Sequence, residues 1–223
     1  MKTEVIPSYK EGLDQLRGNL KQMLPPAALA SFDAYGQKLG ASLSNILKVK
    51  VGDLAPSFAL SNHLGQTVSL SDMLKRGKVV LVFYRGSWCP YCNLQLNQLQ
   101  SVLDEIERLG ANLIAISPQT PDASLSMAEK NNFKFEVLSD VGNAVAGKYT
   151  TVYRHDDAAT AVLNSLGIDF NNHYGDDSSE LPVPAVFVIH RGGTIAYAQS
   201  EGGDFRNRVE IAEILSALKL ERH

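Results

Sequence analysis

The chain has 223 residues, a net charge of -3 and 44% hydrophobic residues. That balance suits a globular protein with a sizeable core, and it excludes the strongly basic character of a nucleic-acid binder or of a protein held on an anionic membrane. No run approaches the roughly 18 apolar residues of a membrane span, and the opening MKTEVIPSYKEGLDQLRG lacks the apolar core of a secretory signal, so the expected location is the cytoplasm.

The first fifty residues read as helix. Leu13, Leu16, Leu20 and Leu24 recur at helical spacing, and Pro25-Pro26 stops that segment. A second stripe runs Leu29, Phe32, Tyr35, Leu39, Leu43, Ile46, Leu47. The two helices either pack on their own chain or form a dimer contact. The period then changes: PSFAL and QTVSL are short strands about the turn HLGQ, and Ser71 is placed as the N-cap of a short helix ending near Gly77. KVVLVFY is a continuous apolar run, as expected of a strand buried on both faces. CNLQLNQLQSVLDEIERLG is an amphipathic helix with Leu96, Leu99, Leu103, Ile106 and Leu109 on one face and Gly110 at its end. ANLIAIS is the next strand, so this stretch is a βαβ unit with a right-handed crossover expected. Pro121 to Asn132 is expected as helix, FEVLSD as strand and NAVAGKY as helix. TVYRHDDAATAVLNSLGIDFNNHYGDDSSE reads as a polar, irregular insertion. AVFVIH and TIAYAQ form a hairpin about Arg191-Gly192-Gly193, and Arg208 to Leu220 is a closing helix.

Cys89 and Cys92, the only cysteines, stand where the buried strand hands over to a helix. The first turn of a helix leaves backbone N–H groups without partners, and its dipole favours an anion, so a thiolate there is stabilised. The second sulfur lies one turn on, within reach of a disulfide with the first. Pro90 suits the opening of a helix because its missing N–H would be unpaired anyway. Two cysteines cannot build a disulfide framework; they can make one switch. Half a zinc site and a pair of buried spectators are the competing readings. There is no second CxxC, and His63, His155, His173, His190 and His223 show no paired ligand spacing, so no metal is expected. Val183 and Pro184, in LPVPAVFVI, place a rigid element just before a buried strand. This is a plain strand-start proline or one with a cis bond beside the active site.

The blocks KVGDLAPSFAL, TVSLSDMLKRGKVVLVFYRGSWCPYC, GANLIAISPQTP, FEVLSD and VPAVFVIHRGGTIAYA, in this order, resemble the thioredoxin-fold superfamily. Within it they resemble the peroxiredoxins of the alkyl hydroperoxide reductase and thiol-specific antioxidant type. The resemblance runs from about Lys50 to the C-terminus. The chain is similar to a bacterial group with a long helical N-terminal extension and a YRGxWCPYCN motif, while CPYC itself also looks like a glutaredoxin active site. The resemblance implies an α/β, thioredoxin-like fold: a mixed central sheet with helices on both faces over residues 50–223, plus a helical extension over residues 1–49.

The same resemblance leaves the nucleophile open. Typical peroxiredoxins carry PxxxTxxC. Laid without gaps, the proline falls on Arg85, the threonine on Cys89 and the peroxide-attacking cysteine on Cys92. Thioredoxins use the first cysteine, here Cys89, which exposure at a helix start slightly favours. The arginine that peroxiredoxins place before the late strand corresponds to Pro184, where thioredoxins keep a cis-proline. Arg85 is the candidate replacement, to polarise the O–O bond as charge develops on the leaving oxygen. Arg191 and Arg206 are read as solvated charges. Trp88, the sole tryptophan, is placed beside Cys89 to shield the sulfur and, with Val183 and Pro184, to dock partners; simple packing is the alternative. His173 to Glu180 gathers acids near a histidine as a cation site would, and is read as a solvated loop; SPQTPD is read as a turn.

Three functions follow. The first is a thiol-dependent peroxidase that reduces hydroperoxides through a Cys89/Cys92 disulfide, itself reduced by a thioredoxin- or glutathione-type donor. The second is a general thiol–disulfide oxidoreductase, and the third a non-catalytic redox sensor. No organic cofactor is expected, and the N-terminal helices make a homodimer possible.

Overall fold

The leucine stripes of the first fifty residues fold as two helices, α1 (Tyr9–Met23) and α2 (Pro26–Ser42), in a computed structural model that describes residues 6–220. His223 and residues 1–5 of the opening stretch lie outside the described residues. Both helices pack on their own chain. The carboxylate of Glu210 accepts from the backbone N–H groups of Tyr9 (2.8 Å) and Lys10 (2.9 Å), a favourable place for negative charge. The second stripe outruns its helix: α2 ends at Ser42, Asn45 takes a left-handed φ of 51°, and Ile46 and Leu47 pack as extended chain, with Leu47 bridged to Thr150.

Next come β1 (Ala59–Asn62), β2 (Thr67–Ser69) and α3 (Leu70–Arg76). The cap of α3 is Ser69, not Ser71: its hydroxyl accepts from Asp72 N at 3.1 Å. β3 (Lys78–Phe83) is the KVVLVF run, and its Val79 to Phe83 side chains are wholly buried. Burial on this scale is worth about 1.5–3 kcal/mol for each large apolar side chain, before conformational entropy is counted. The expected single helix is two, α4 (Pro90–Ser101) and α5 (Leu103–Arg108), broken at buried, β-branched Val102 (φ -113°, ψ 16°). β4 (Ala111–Ser117), α6 (Pro121–Asn131), β5 (Glu136–Ser139) and α7 (Ala146–Tyr149) follow.

The stretch read as irregular is structured. It contains β6 (Val152–Arg154), α8 (Asp157–Ser165), a short 3₁₀ turn at Asn171–His173 and β7 (Glu180–Pro182), with β6 and β7 paired antiparallel. β8 (Ala185–Ile189) and β9 (Ile195–Gln199) make the expected hairpin, and α9 (Ile211–Lys219) closes the chain, with Arg208 lying before it rather than in it.

The main sheet has the order β2-β1-β5-β4-β3-β8-β9. β3, β4 and β5 are mutually parallel and the other pairings antiparallel, so the sheet is mixed. Alternate residues of β3 feed two cores: Val80 and Val82 join the face carrying Leu96, Leu99 and α9, while Val79, Leu81 and Phe83 join Met73 and Tyr149 on the other. Helices therefore cover both faces. The carboxyl end of β3 leads directly into the loop that ends at Cys89 and the first turn of α4 that holds Cys92, the end of a parallel strand where open α/β sheets place their sites.

Candidate active site

Cys89 is the N-cap of α4 and Pro90 its first residue. The loop before it is held tightly. Gln119 accepts from Ser87 N and donates to Ser87 Oγ, both at 2.8 Å. At Gly86 a Cβ would stand 2.7 Å from the Trp88 indole nitrogen, so a larger residue would displace that ring. The indole N–H of Trp88 donates to the Tyr174 hydroxyl at 2.6 Å, and that hydroxyl donates to Arg85 O at 3.0 Å.

Both cysteines are free and wholly buried. Each meets one arginine: Arg85 Nη1 is 3.9 Å from Cys89 Sγ, and Arg208 Nη2 is 3.2 Å from Cys92 Sγ. The two sulfurs are hydrogen-bonded to each other, so their titrations belong to the pair. Burial, then the bond to Cys92 and its charge, pushes the Cys89 thiol well up. At Cys92 burial works the same way, but the Cys89 thiol, Arg208 and Arg85 outweigh it and hold Cys92 well below the usual thiol range. The bond from Cys89 and the Arg208 guanidinium, the closer of the two arginines, both favour the anion on Cys92.

Arg85 is buried between the faces of Phe205 (4.1 Å) and Trp88 (4.7 Å), and its Nη2 lies 3.4 Å from His155 Nδ1. Arg208 spends its Nη1 on the carbonyls of Phe205 and Asn207. Among the described residues neither guanidinium pairs with a carboxylate, and the Nε of each has no hydrogen-bond partner. Cys89 and Arg85 open onto a cavity of about 210 Å³ walled by Leu20, Leu24 and Phe32 of the N-terminal helices and by Leu163, Leu166 and Ile168 on and after α8.

The structure thus brings together Arg85, Trp88, Cys89 and Cys92. It does not bring in Val183 and Pro184 as a docking edge. No cis peptide bond occurs among the described residues. Both residues are buried, Val183 N donates to Thr151 O (2.8 Å), and Val183 O accepts from Thr150 Oγ1 (2.9 Å), so both of its backbone groups are already engaged within the chain. Arg191 donates to Arg76 O at 3.2 Å, away from the cysteines. Arg206 is not solvated: it is buried against Asp204 and Asp33 and ties α2 to the C-terminal loop. His173 contacts Gln119, and Asp176 accepts from Ser178, so the segment from His173 to Glu180 is bonded as turns. Among the described residues no group of three or more His, Cys, Asp or Glu side chains is gathered as a metal would need.

Sequence reasoning missed Arg208, His155, Tyr35 and Phe205. The pair Arg206/Arg208 ahead of the closing helix was the available signal for the first. His155 stood alone in a segment without clear periodicity.

The chain is 34% identical over 102 residues to Peroxiredoxin Bcp of Escherichia coli K12, and 37% identical over 102 residues to Putative peroxiredoxin bcp of Haemophilus influenzae. Each match covers 45% of this chain and 64% of the relative, just under two thirds of its length. Among solved structures the fold is similar to Peroxidoxin BcpB from Mycobacterium tuberculosis (TM-score 0.61, 22% identity, 78% of this chain and 99% of that one). It is also similar to a reduced 2-Cys peroxiredoxin from Plasmodium vivax (TM-score 0.57, 19% identity, 76% and 80%). These likenesses share the thioredoxin-like fold. The family match itself runs through β1, the CxxC and the β8–β9 hairpin, over residues 51–198, and on that extent the chain belongs to the AhpC/TSA family.

Proposed function

We propose that the protein is a thiol peroxidase that reduces hydroperoxides through Cys89 and Cys92. The observation that carries this is the paired sulfurs under two buried guanidiniums that have no carboxylate of their own. A structural arginine would be neutralised; these keep charge and unused N–H donors for a sulfur anion and a developing oxyanion. The hydroperoxide enters by the apolar cavity, which buries an organic tail and ends at Cys89.

Cys89 attacks the hydroperoxide oxygen as its proton passes to the Cys92 thiolate. The S–O bond forms, the O–O bond breaks, and the leaving alkoxide takes back that proton to depart as an alcohol. The thiolate restored on Cys92 then attacks the Cys89 sulfenic acid, releasing hydroxide, which leaves as water after protonation, and forming the Cys89–Cys92 disulfide. An external thiol donor of the thioredoxin or glutathione type returns the dithiol.

Stopped-flow mixing of the reduced protein with hydrogen peroxide, following Trp88 emission, tests the reading. A rate linear in peroxide and far above that of a free thiol is expected. Cys89→Ser should leave no sulfenic acid to trap. A peroxide rate no better than a free thiol, with fast exchange on an oxidised protein disulfide, would mean a disulfide oxidoreductase instead. Stoichiometric oxidation without turnover under any donor would mean a sensor.

A further inference from the structure

Buried guanidiniums ordinarily meet carboxylates, because an isolated charge out of water is costly. Arg85 meets a histidine. Its Nη2 lies 3.4 Å from His155 Nδ1. A guanidinium only donates, so Nδ1 must carry the lone pair. The Tyr35 hydroxyl accepts from Asp156 N at 3.0 Å and lies 3.2 Å from the same Nδ1, so its proton has that lone pair as its target. The imidazole proton is therefore on Nε2. The ring is buried and stacked on Phe170, with centroids 4.8 Å apart and planes 20° apart. Protonating it would set a second cation against Arg85; burial, and then the Arg85 charge, push His155 down to about 2.

The geometry points to His155 as a positioning residue for the peroxide step: an acceptor through Nδ1 that aims Arg85 at the cysteines without cancelling its charge. This deepens the peroxidase reading and rests on it. The titratable and charged groups around Arg85 and His155 are Cys89, Cys92, Tyr35 of α2, Tyr153 of β6, Tyr174, Arg208 and Asp156. The one carboxylate among them, Asp156, faces outward and is paired with Lys38 at 3.0 Å. An aspartate in place of His155 would orient the guanidinium equally well and neutralise it. Charge and geometry can therefore be separated by substitution.

The test uses full-length, reduced His155→Asn, His155→Asp and His155→Leu. It reads the ultraviolet absorbance of the thiolate against pH and the consumption of hydrogen peroxide in a single turnover. Asn places Oδ1 where Nδ1 stood, and should keep the thiolate midpoint and leave the rate within about threefold. Leu removes the acceptor, and should raise the midpoint and lower the rate about tenfold. Asp keeps the acceptor and adds a charge, and should raise the midpoint by about one pH unit and lower the rate tenfold or more. A purely structural histidine would leave the midpoint unmoved in every folded variant, and a wild-type midpoint and rate in His155→Asp would overturn the inference. Should the Asp variant not fold, the Asn and Leu variants carry the contrast, and equal midpoints in those two would overturn it as well. If the wild-type protein consumes peroxide no faster than a free thiol, the peroxidase reading fails, while the thiolate midpoints still report what His155 does to the sulfurs.

Discussion

At the scale of single residues the site works by withholding counter-charges. Arg208 lies 3.2 Å from Cys92 Sγ and donates to the carbonyls of Phe205 and Asn207 on its other side, and Arg85 has a neutral ring where an acid is usual. His155 carries a cost that can be measured. Its folded value is depressed to about 2 from the ordinary 6.5, mainly by burial. Between those two values the unfolded chain binds a proton that the folded one refuses, so stability rises with pH across the window and is lost as pH falls through it. Between pH 7 and pH 5 this group alone should remove about 2 kcal/mol. Urea denaturation of wild type and His155→Asn at both pH values checks it. The wild type should lose about 2 kcal/mol more than the variant, since the carboxylates titrate alike in both. Equal losses would place a proton on the folded histidine.

At the scale of elements, the N-terminal helices belong to the site's wall. Leu20, Leu24 and Phe32 face Leu163, Leu166 and Ile168 across the cavity above Cys89. Leu166→Trp, at a half-buried position on that wall, should narrow the way in for a bulky molecule and leave room for a small one. We expect the rate with cumene hydroperoxide to fall about tenfold while that with hydrogen peroxide stays within about threefold. Equal losses on both would mean a general disturbance of the sulfurs. The sequence showed some of these elements plainly and hid others. KVVLVFY fitted a doubly buried strand and Pro90 suited the opening of a helix, because both signals are local. The segment from 151 to 180 was opaque. Its helix α8 is nine residues long, its strands three each, and their apolar sides make sense only against α2 and Trp88. Ser71 was placed as the cap of α3, but Ser69, two residues earlier, is the one with extended backbone and a hydroxyl that accepts from Asp72 N. Arg208 was missed because its sulfur is 116 positions away and the Arg206/Arg208 pair does not by itself point to a cysteine.

For the molecule as a whole, the charge of the site ties its redox state to its stability. The reduced pair supplies the anion that faces Arg85 and Arg208. Closing the Cys89–Cys92 disulfide removes it and strands two buried cations. The crosslink closes a loop of only four residues and returns about 2 kcal/mol by the chain-entropy account. Leaving a buried charge without its partner costs roughly 3–5 kcal/mol. The second effect wins, so the oxidised protein should be the less stable form. The loosening should appear where Arg208 is anchored: the loop from Phe205 to Glu210, and through it the start of α1, held by Tyr9 Oη on Arg206 O (2.8 Å) and by Glu210 on the helix N-terminus. Hydrogen exchange compared between the two redox states should show faster exchange at residues 8–13 and 204–210 after oxidation, with β3 and β4 unchanged. Such a release would uncover sulfurs that are enclosed in the reduced state, giving an external thiol its access only when there is a disulfide to reduce. Exchange that slows in those segments on oxidation would show that the crosslink outweighs the stranded charge, and the donor would then have to reach Cys89 through the cavity.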